Sequence, residues 1–396
     1  MFLLLVACTA PPVVDAPPID TGPLCEPLPT QPTRASAPIA GIDADWSDRY
    51  DDGYRYFEEI YRDFHGLGPL LIRNSCAACH AAGGKGPGEV HKMVVMDGVE
   101  PAADQSALPW GHTERPEVAG GGETPILAPT DVPNLRVTTR IGPSLRGLGY
   151  LEAIDDAEIL RVAAEQSTVS GRVNRVDWSV VEANSEFHDH QPGDVGLIGR
   201  FGLKARIVTI DEFVADAAQG DMGITSTLRP DELPNPDGLD DDERDGVDID
   251  VDTVNQIADY VRLLELPART LPEGGAEVFA QVGCADCHVP SLRTRADYPI
   301  PALADIDAPL YTDVLLHDMG EELADGMTDG EALSTEWRTA PLVDLARLGD
   351  YLHDGRATSI AEAIEAHGGE AAASVEATRE LDADERALFC AFVEAV

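Results

Sequence analysis

The chain has 396 residues, of which 43% are hydrophobic, enough to bury the cores of two or three domains. Its 72 acidic residues against 28 basic ones leave a net charge of −44. Such a surface repels nucleic acid and anionic lipid headgroups and attracts basic proteins, although a solvated coat adapted to a salty habitat has the same composition.

The N-terminus reads MFLLLVACTA. Leu5-Val6-Ala7-Cys8 has the form of a bacterial lipobox, in which the cysteine becomes a lipidated first residue. The apolar run before it is short and lacks Lys and Arg, so we expect a lipoprotein whose true start lies upstream. The Pro-rich stretch after it reads as an extended tether, and residues 1–45 form the signal remnant and tether. No other stretch has the ~18 continuous apolar residues of a spanning helix. The expectation is a periplasm-facing protein, held at the outer membrane of a Gram-negative bacterium by a lipid alone.

A first domain is expected over residues 46–230. It opens with YRYFEEIYRDFHGLGP, where Tyr54, Phe57, Ile60, Tyr61 and Phe64 recur at helical spacing and Gly66 and Gly68 stop the run. Then comes NSCAACH, with Cys76, Cys79 and His80. The same C-x-x-C-H returns about two hundred residues later as GCADCH, with Cys284, Cys287 and His288. Three chemistries compete for these pairs. Structural zinc leaves each adjacent His without a role and is unusual for pairs so far apart. A thioredoxin-like redox pair needs a βαβ setting, which neither motif has. Covalent haem uses every residue: two thiols add across the vinyl groups, and His80 and His288 become proximal iron ligands. Of the other cysteines, Cys8 belongs to the lipobox and Cys25 to the tether. Cys390 reads as a buried apolar thiol, with a Cys25–Cys390 disulfide as the less favoured reading.

Downstream, His91 and His112 lie in a Gly- and Pro-rich loop, each a surface residue or a distal ligand. RIGPSLRGLGYLEAI starts at Arg140, and RTAPLVDLARLGDYLHDGRATSIAEAI starts at Arg338; both run R-x-x-P, leucines, amphipathic helix. This is a diverged internal repeat. Between the copies, residues 231–252 are densely acidic and read as a linker. DGVDIDVD within it offers carboxylates to Ca²⁺ but lacks the full EF-hand pattern.

Residues 253–396 form the second domain. VNQIADYVRLLEL predicts a helix with Ile257, Val261 and Leu264 on one face; EGGAEVFAQV predicts another before the second motif. SIAEAIEAHGG opens with a capping-box pattern, Ser359 and Glu362, and places Ile360, Ile364 and His367 on one face. The last helix starts near Asp382 and buries Leu388, Phe389, Phe392 and Val393. Few strand patterns occur. The expected fold is mainly α: two tandem cytochrome c-like domains with long irregular loops.

Beyond the haem motifs, GRFGLKA, GDMGITS, YTDVLLHDMG, EWRTAPL and YLHDGRATSIAEAIEAHGGEA occur in order. With these, the sequence from about Asp51 onward resembles the bacterial di-haem c-type oxidoreductases described as peroxidases. More distantly it is similar to di-haem cytochrome c peroxidases. The resemblance implies two haems facing each other and an electron-donor protein, in keeping with the surface charge a small basic cytochrome. It implies peroxide or a related small oxidant as substrate. His367 matches the position where relatives carry a sixth ligand, with Met319 as the rival. Relatives also place a carboxylate near the open haem, and Glu152 is the sequence candidate for that acid–base role. Arg338 and Arg356 suit haem propionates. His317 and His353, each before an Asp, suit a propionate or a loop. Trp337 is a core residue or a bridge between the haems. The competing reading is a pure electron-transfer cytochrome with both irons six-coordinate, and a zinc-bearing lipoprotein is a third.

Overall fold

The computed structural model describes residues 24–26, 34–86, 88–181, 186–239 and 246–396. The lipobox, most of the tether and the centre of the acidic linker lie outside these residues. The α-helices are α1 (Ala44–Phe57), α2 (Cys76–Cys79), α3 (Leu148–Ala153), α4 (Asp156–Glu165), α5 (Ile210–Met222), α6 (Val251–Leu263), α7 (Gly275–Gln281), α8 (Ile360–Glu365), α9 (Ala372–Arg379) and α10 (Ala383–Ala395). The strands are β1 (Leu70–Leu71), β2 (Glu89–Asp97), β3 (Glu100–Pro101), β4 (Glu117–Val118), β5 (Leu135–Ile141), β6 (Arg175–Val176), β7 (Leu197–Ile198), β8 (Leu292–Arg293), β9 (Asp307–Ala308), β10 (Leu316–Asp318) and β11 (Glu336–Arg338).

The expectation of a mainly α chain is overturned. Among the described residues 32% are helical and 15% strand, in several small sheets, and the chain does not resolve into tandem cytochrome c-like domains. The physical reason sits in the Gly- and Pro-rich stretch after the first motif. There β2 and β5 pair antiparallel from Glu89 opposite Ile141 to Val95 opposite Leu135, with β3 on the outer edge of β2. Met93 and Val94 are neighbours and both are buried, so EVHKMVVMD lacks the strict alternation that marks a strand in sequence.

The α1 helix buries Trp46, Tyr50, Gly53 and Phe57 on one stripe. It packs on α6, and the crossing is close because Gly53 has no side chain: a Cβ there would lie 2.0 Å from the Gln256 carbonyl oxygen. The predicted helix continued to Phe64, but it ends at Phe57; Ile60 and Phe64 are 56% and 70% exposed. The α6 helix, capped by Asp250 accepting from the Thr253 amide, buries Ile257 and Val261 as expected. It packs on α1, α3 and α5, all from the stretch before the acidic linker.

A separate core surrounds the second motif. Val278, Phe279 and Val282 meet Phe389, Phe392 and Val393 of α10, which starts with a complete capping box of Asp382 and Glu385. Burying each of these aromatic side chains contributes about 1.5–3 kcal/mol. Cys390 is not a free thiol. It is bonded to Cys25, and Leu24 and Cys25 belong to this same core.

Ion pairs lock the two halves together. Arg140 pairs with Asp325 and Asp329, Arg172 with Glu336, and the buried Lys204 ammonium donates to the carbonyls of Leu333, Ser334 and Glu336. Asp248 and Asp250, read as Ca²⁺ donors, are committed elsewhere. Asp248 accepts from the Thr225 amide and hydroxyl, and Asp250 caps α6. The described residues gather no carboxylate cluster there for a cation.

Candidate functional site

Both C-x-x-C-H motifs fold alike. The His80 amide donates to the Cys76 carbonyl and the His288 amide to the Cys284 carbonyl, each at 2.9 Å. One tight turn thus sets each pair of thiols three residues apart, on one side, with the His directly after. The first motif is docked on the end of α5, because the amides of Ile72 and Arg73 donate to the Asp221 carbonyl. The α7 helix leads into the second motif. All four thiols are unbonded, and burial pushes Cys76 and Cys284 up to about 12. Thiols held in that state are poor thiolate nucleophiles, against the disulfide-exchange reading.

Each imidazole could serve as a metal ligand. His288 Nδ1 donates to the Tyr311 carbonyl at 3.0 Å, which fixes the tautomer and leaves Nε2 with a free lone pair. Burial lowers both His80 and His288 to about 4, so both are neutral near neutral pH. His80 Nδ1 is buried without a well-formed hydrogen bond, while the carbonyls of Pro143 and Gly84 lie near enough to favour its proton. Gly142 covers the His80 ring: a Cβ at that position would lie 2.9 Å from His80 Cε1. This is the reason for Gly in RIGPS.

Cys76, Cys79 and His80 open onto a cleft between the first motif, α5 and α6. Its walls are mostly apolar and include Phe57, Leu148, Phe213 and Val261. A flat apolar macrocycle with one axial nitrogen, held by two neighbouring thiols, fits this donor set.

Two residues in the wall were not singled out from sequence. Met222, the last residue of α5, is one. Asp221, beside it, is the other. Among the described residues no hydrogen bond or ion pair holds its carboxylate, and burial raises it to about 6 against the opposing charges of Lys92 and Arg206. Nothing in GDMGITS marks it in one dimension; only the docking of α5 on the first motif turns it inward.

Glu152 lies elsewhere. It is buried and accepts from Arg262 Nε at 2.6 Å, Tyr298 Oη at 2.8 Å and the Ile210 amide at 2.7 Å. Burial opposes its charge, but Arg262 holds the carboxyl below its usual range. It does not line the cleft, and its lone pairs are occupied, so it is an anchor among α3, α5 and α6 rather than an acid–base group. His91 and His112 are spent on Glu114 and the Met93 carbonyl, also outside the cleft.

At the second motif, His367 follows α8 and donates Nδ1 to the Ala363 carbonyl at 2.6 Å, leaving Nε2 free. A charge on His367 would lower the pKa of His288, so the two imidazoles share one buried neighbourhood. Met319 is half-buried and its amide donates to the Thr335 carbonyl. Arg338 is buried and bonds only to the Gly202 and Thr339 carbonyls, with burial lowering it to about 10. It pairs with no carboxylate among the described residues, which suits a cofactor carboxylate. Arg356 differs: it pairs with Asp354 and donates to the Glu322 carbonyl. His317 is clasped between Asp313 and Glu370, with Cys287 Sγ 3.7 Å from its Nδ1. Cys287, Asp313 and His317 also bring three possible ligand atoms within 4.8 Å of one another, a geometry that a metal ion could use. His353 stacks on Trp337, with ring centroids 3.8 Å apart.

The family described as "Di-haem oxidoreductase, putative peroxidase" matches residues 126–396. The chain belongs to that family. The match covers the second motif and starts after the first. No curated protein matches. Among solved structures, the chain is similar to a hydrazine synthase from Kuenenia stuttgartiensis at 16% identity and a TM-score of 0.39, covering 98% of this chain and 100% of that one.

Proposed function

We propose that the chain holds two covalent c-type haems and reduces peroxide, or a related small oxidant, at the first of them. One observation carries this reading: a cleft that joins Cys76, Cys79 and His80 to the unpartnered carboxylate of Asp221. A haem iron, when bound, supplies the one-electron steps and the coordination site for the oxidant. His80 and His288 would each hold an iron, and the apolar walls would limit water around the cleft. Reduction of peroxide, H₂O₂ + 2 H⁺ + 2 e⁻ → 2 H₂O, needs a group that takes a proton from one oxygen and returns it to the departing one. Asp221, in the cleft wall, would take that task; Glu152, outside the cleft with its oxygens engaged, would not. The electrons come from a donor protein, with a basic one favoured by the charge of −44. The Cys25–Cys390 bond supports an oxidising compartment such as the periplasm.

A second reading has its own observation. Met222 stands in the same wall, and a thioether on the first iron would make the protein an electron carrier. Spectra of the oxidised and half-reduced holoprotein separate the two. An open, high-spin first haem with peroxide turnover that falls in Asp221→Asn supports the peroxidase. Two persistently low-spin haems, one with a sulfur-to-iron charge-transfer band lost in Met222→Ala, would sink it.

A further inference from the structure

The stretch FHDHQPGD carries two histidines, His188 and His190, that the proposed reaction does not use. Neither lines the cleft of the first motif. Their rings and the Trp178 indole form a closed group of three. The imidazoles are stacked, 5.1 Å between centroids and 22° from parallel, and the indole lies 4.9 Å from His188 and 5.3 Å from His190.

His188 is held in the way a ligand is held. Its side chain is only 7% exposed, and Nε2 lies 3.3 Å from Asp211 Oδ2. A carboxylate only accepts, so Nε2 carries the proton and Nδ1 of the neutral ring presents a lone pair. Asp211 is fixed in turn, because its Oδ1 accepts from Arg262 Nη2 at 2.9 Å. A carboxylate behind a histidine sets the ring's orientation and raises its basicity toward a metal. Nδ1 itself is buried, with no hydrogen-bond partner among the described residues. The indole donor, Trp178 Nε1, is without a partner there too, so it does not serve that lone pair. A buried acceptor left unmet costs stability unless something binds it.

His190 supplies the second nitrogen. It is half-buried, and burial together with the neighbouring His188 lowers its pKa, so its lone pair is available. Asp156, Asp189 and Asp194 place negative charge beside it, which favours a cation. Two nitrogens on one zinc-sized ion stand roughly 3.3 Å apart. Edge nitrogens of rings whose centroids are 5.1 Å apart can meet that separation.

We propose that His188 Nδ1 and His190 bind one divalent transition-metal ion of the imidazole-preferring kind, such as copper(II) or zinc. Water completes the coordination, and through Asp211 the ion fastens this segment to the start of α5. The site does not depend on the haems.

The test uses the full chain with whatever haem it carries, any free thiol alkylated. After chelator treatment Cu²⁺ is added, and bound copper is read by equilibrium dialysis and by its electron paramagnetic resonance signal. One ion per chain is expected, with hyperfine coupling to two imidazole nitrogens. His188→Ala and His190→Ala are each expected to weaken binding by at least the ~10–100-fold that loss of a supporting carboxylate costs. Copper should raise the urea midpoint of the parent and leave that of His190→Ala unchanged. His190 is half-buried, so His190→Ala keeps the test decisive where His188→Ala fails to fold. A parent that binds no more copper than His190→Ala overturns the site. So does binding that persists in both variants and is lost in His317→Ala.

Discussion

Replacing Glu152 tests whether the structure or the sequence pattern places the acid–base group. Its carboxylate faces Arg262, which is fully buried, and also accepts from the Ile210 amide and the Tyr298 hydroxyl. Removing one partner of a buried pair costs about 3–5 kcal/mol because the remaining charge is stranded. Each orphaned buried donor adds about 1–3 kcal/mol. Asp211 and Asp259 still reach Arg262 and offset part of this. Glu152→Ala is therefore expected to lose about 5 kcal/mol, and Glu152→Gln about half of that, out of the ~5–15 kcal/mol typical of a fold. The assay is urea unfolding of the holoprotein, read as the midpoint at constant slope, beside peroxide turnover per folded haem. The pH dependence has a definite sign. The folded carboxyl titrates below its ordinary range, so its contribution is present above the unfolded value near 4.5 and is lost as pH falls through the lower folded value. A Glu152→Gln protein that unfolds at the parental urea concentration but has lost turnover would refute the anchoring role.

Other outcomes follow from single contacts. Gly142→Ala places a methyl 2.9 Å from the His80 ring, so the first haem's spectrum should change while that of the second does not. His367→Ala should convert the second haem from low to high spin and shift its potential; unchanged spectra would show that His367 is not the ligand. Reductant, or Cys25→Ser, should lower the urea midpoint by the equivalent of about 2–5 kcal/mol, and the two effects should not add. Asp221→Asn should cut peroxide turnover by on the order of 10²-fold while leaving haem content unchanged.

What could be read in one dimension was chemistry at fixed spacing and faces at fixed period. Cys76, Cys79 and His80 stand out because the proposed thioether attachment and ligation would demand those residues side by side. Ile257 and Val261 of α6, and Phe389 and Phe392 of α10, follow helical period between clear caps, and they are buried as expected. Ile60 and Phe64 show the same period without a partner surface, and there the reading failed. The β2–β5 pair escaped because adjacent buried residues hide a period of two. Asp221 escaped for a different reason: its role depends on where α5 ends relative to the first motif, a tertiary fact. Glu152 was misread in the opposite direction, since the Glu of GYLEAI gives no sign that an Arg about a hundred residues away will claim it.

The Cys25–Cys390 bond also governs how the molecule can be wired. Leu24, Cys25 and Val396 all lie in the core beneath the second motif, so an extension after Val396 emerges from that side. A protein attached to an electrode through a tag after Val396 should present this pole to the metal. Current should then enter by the second motif first, and cutting the Cys25–Cys390 link should loosen that presentation.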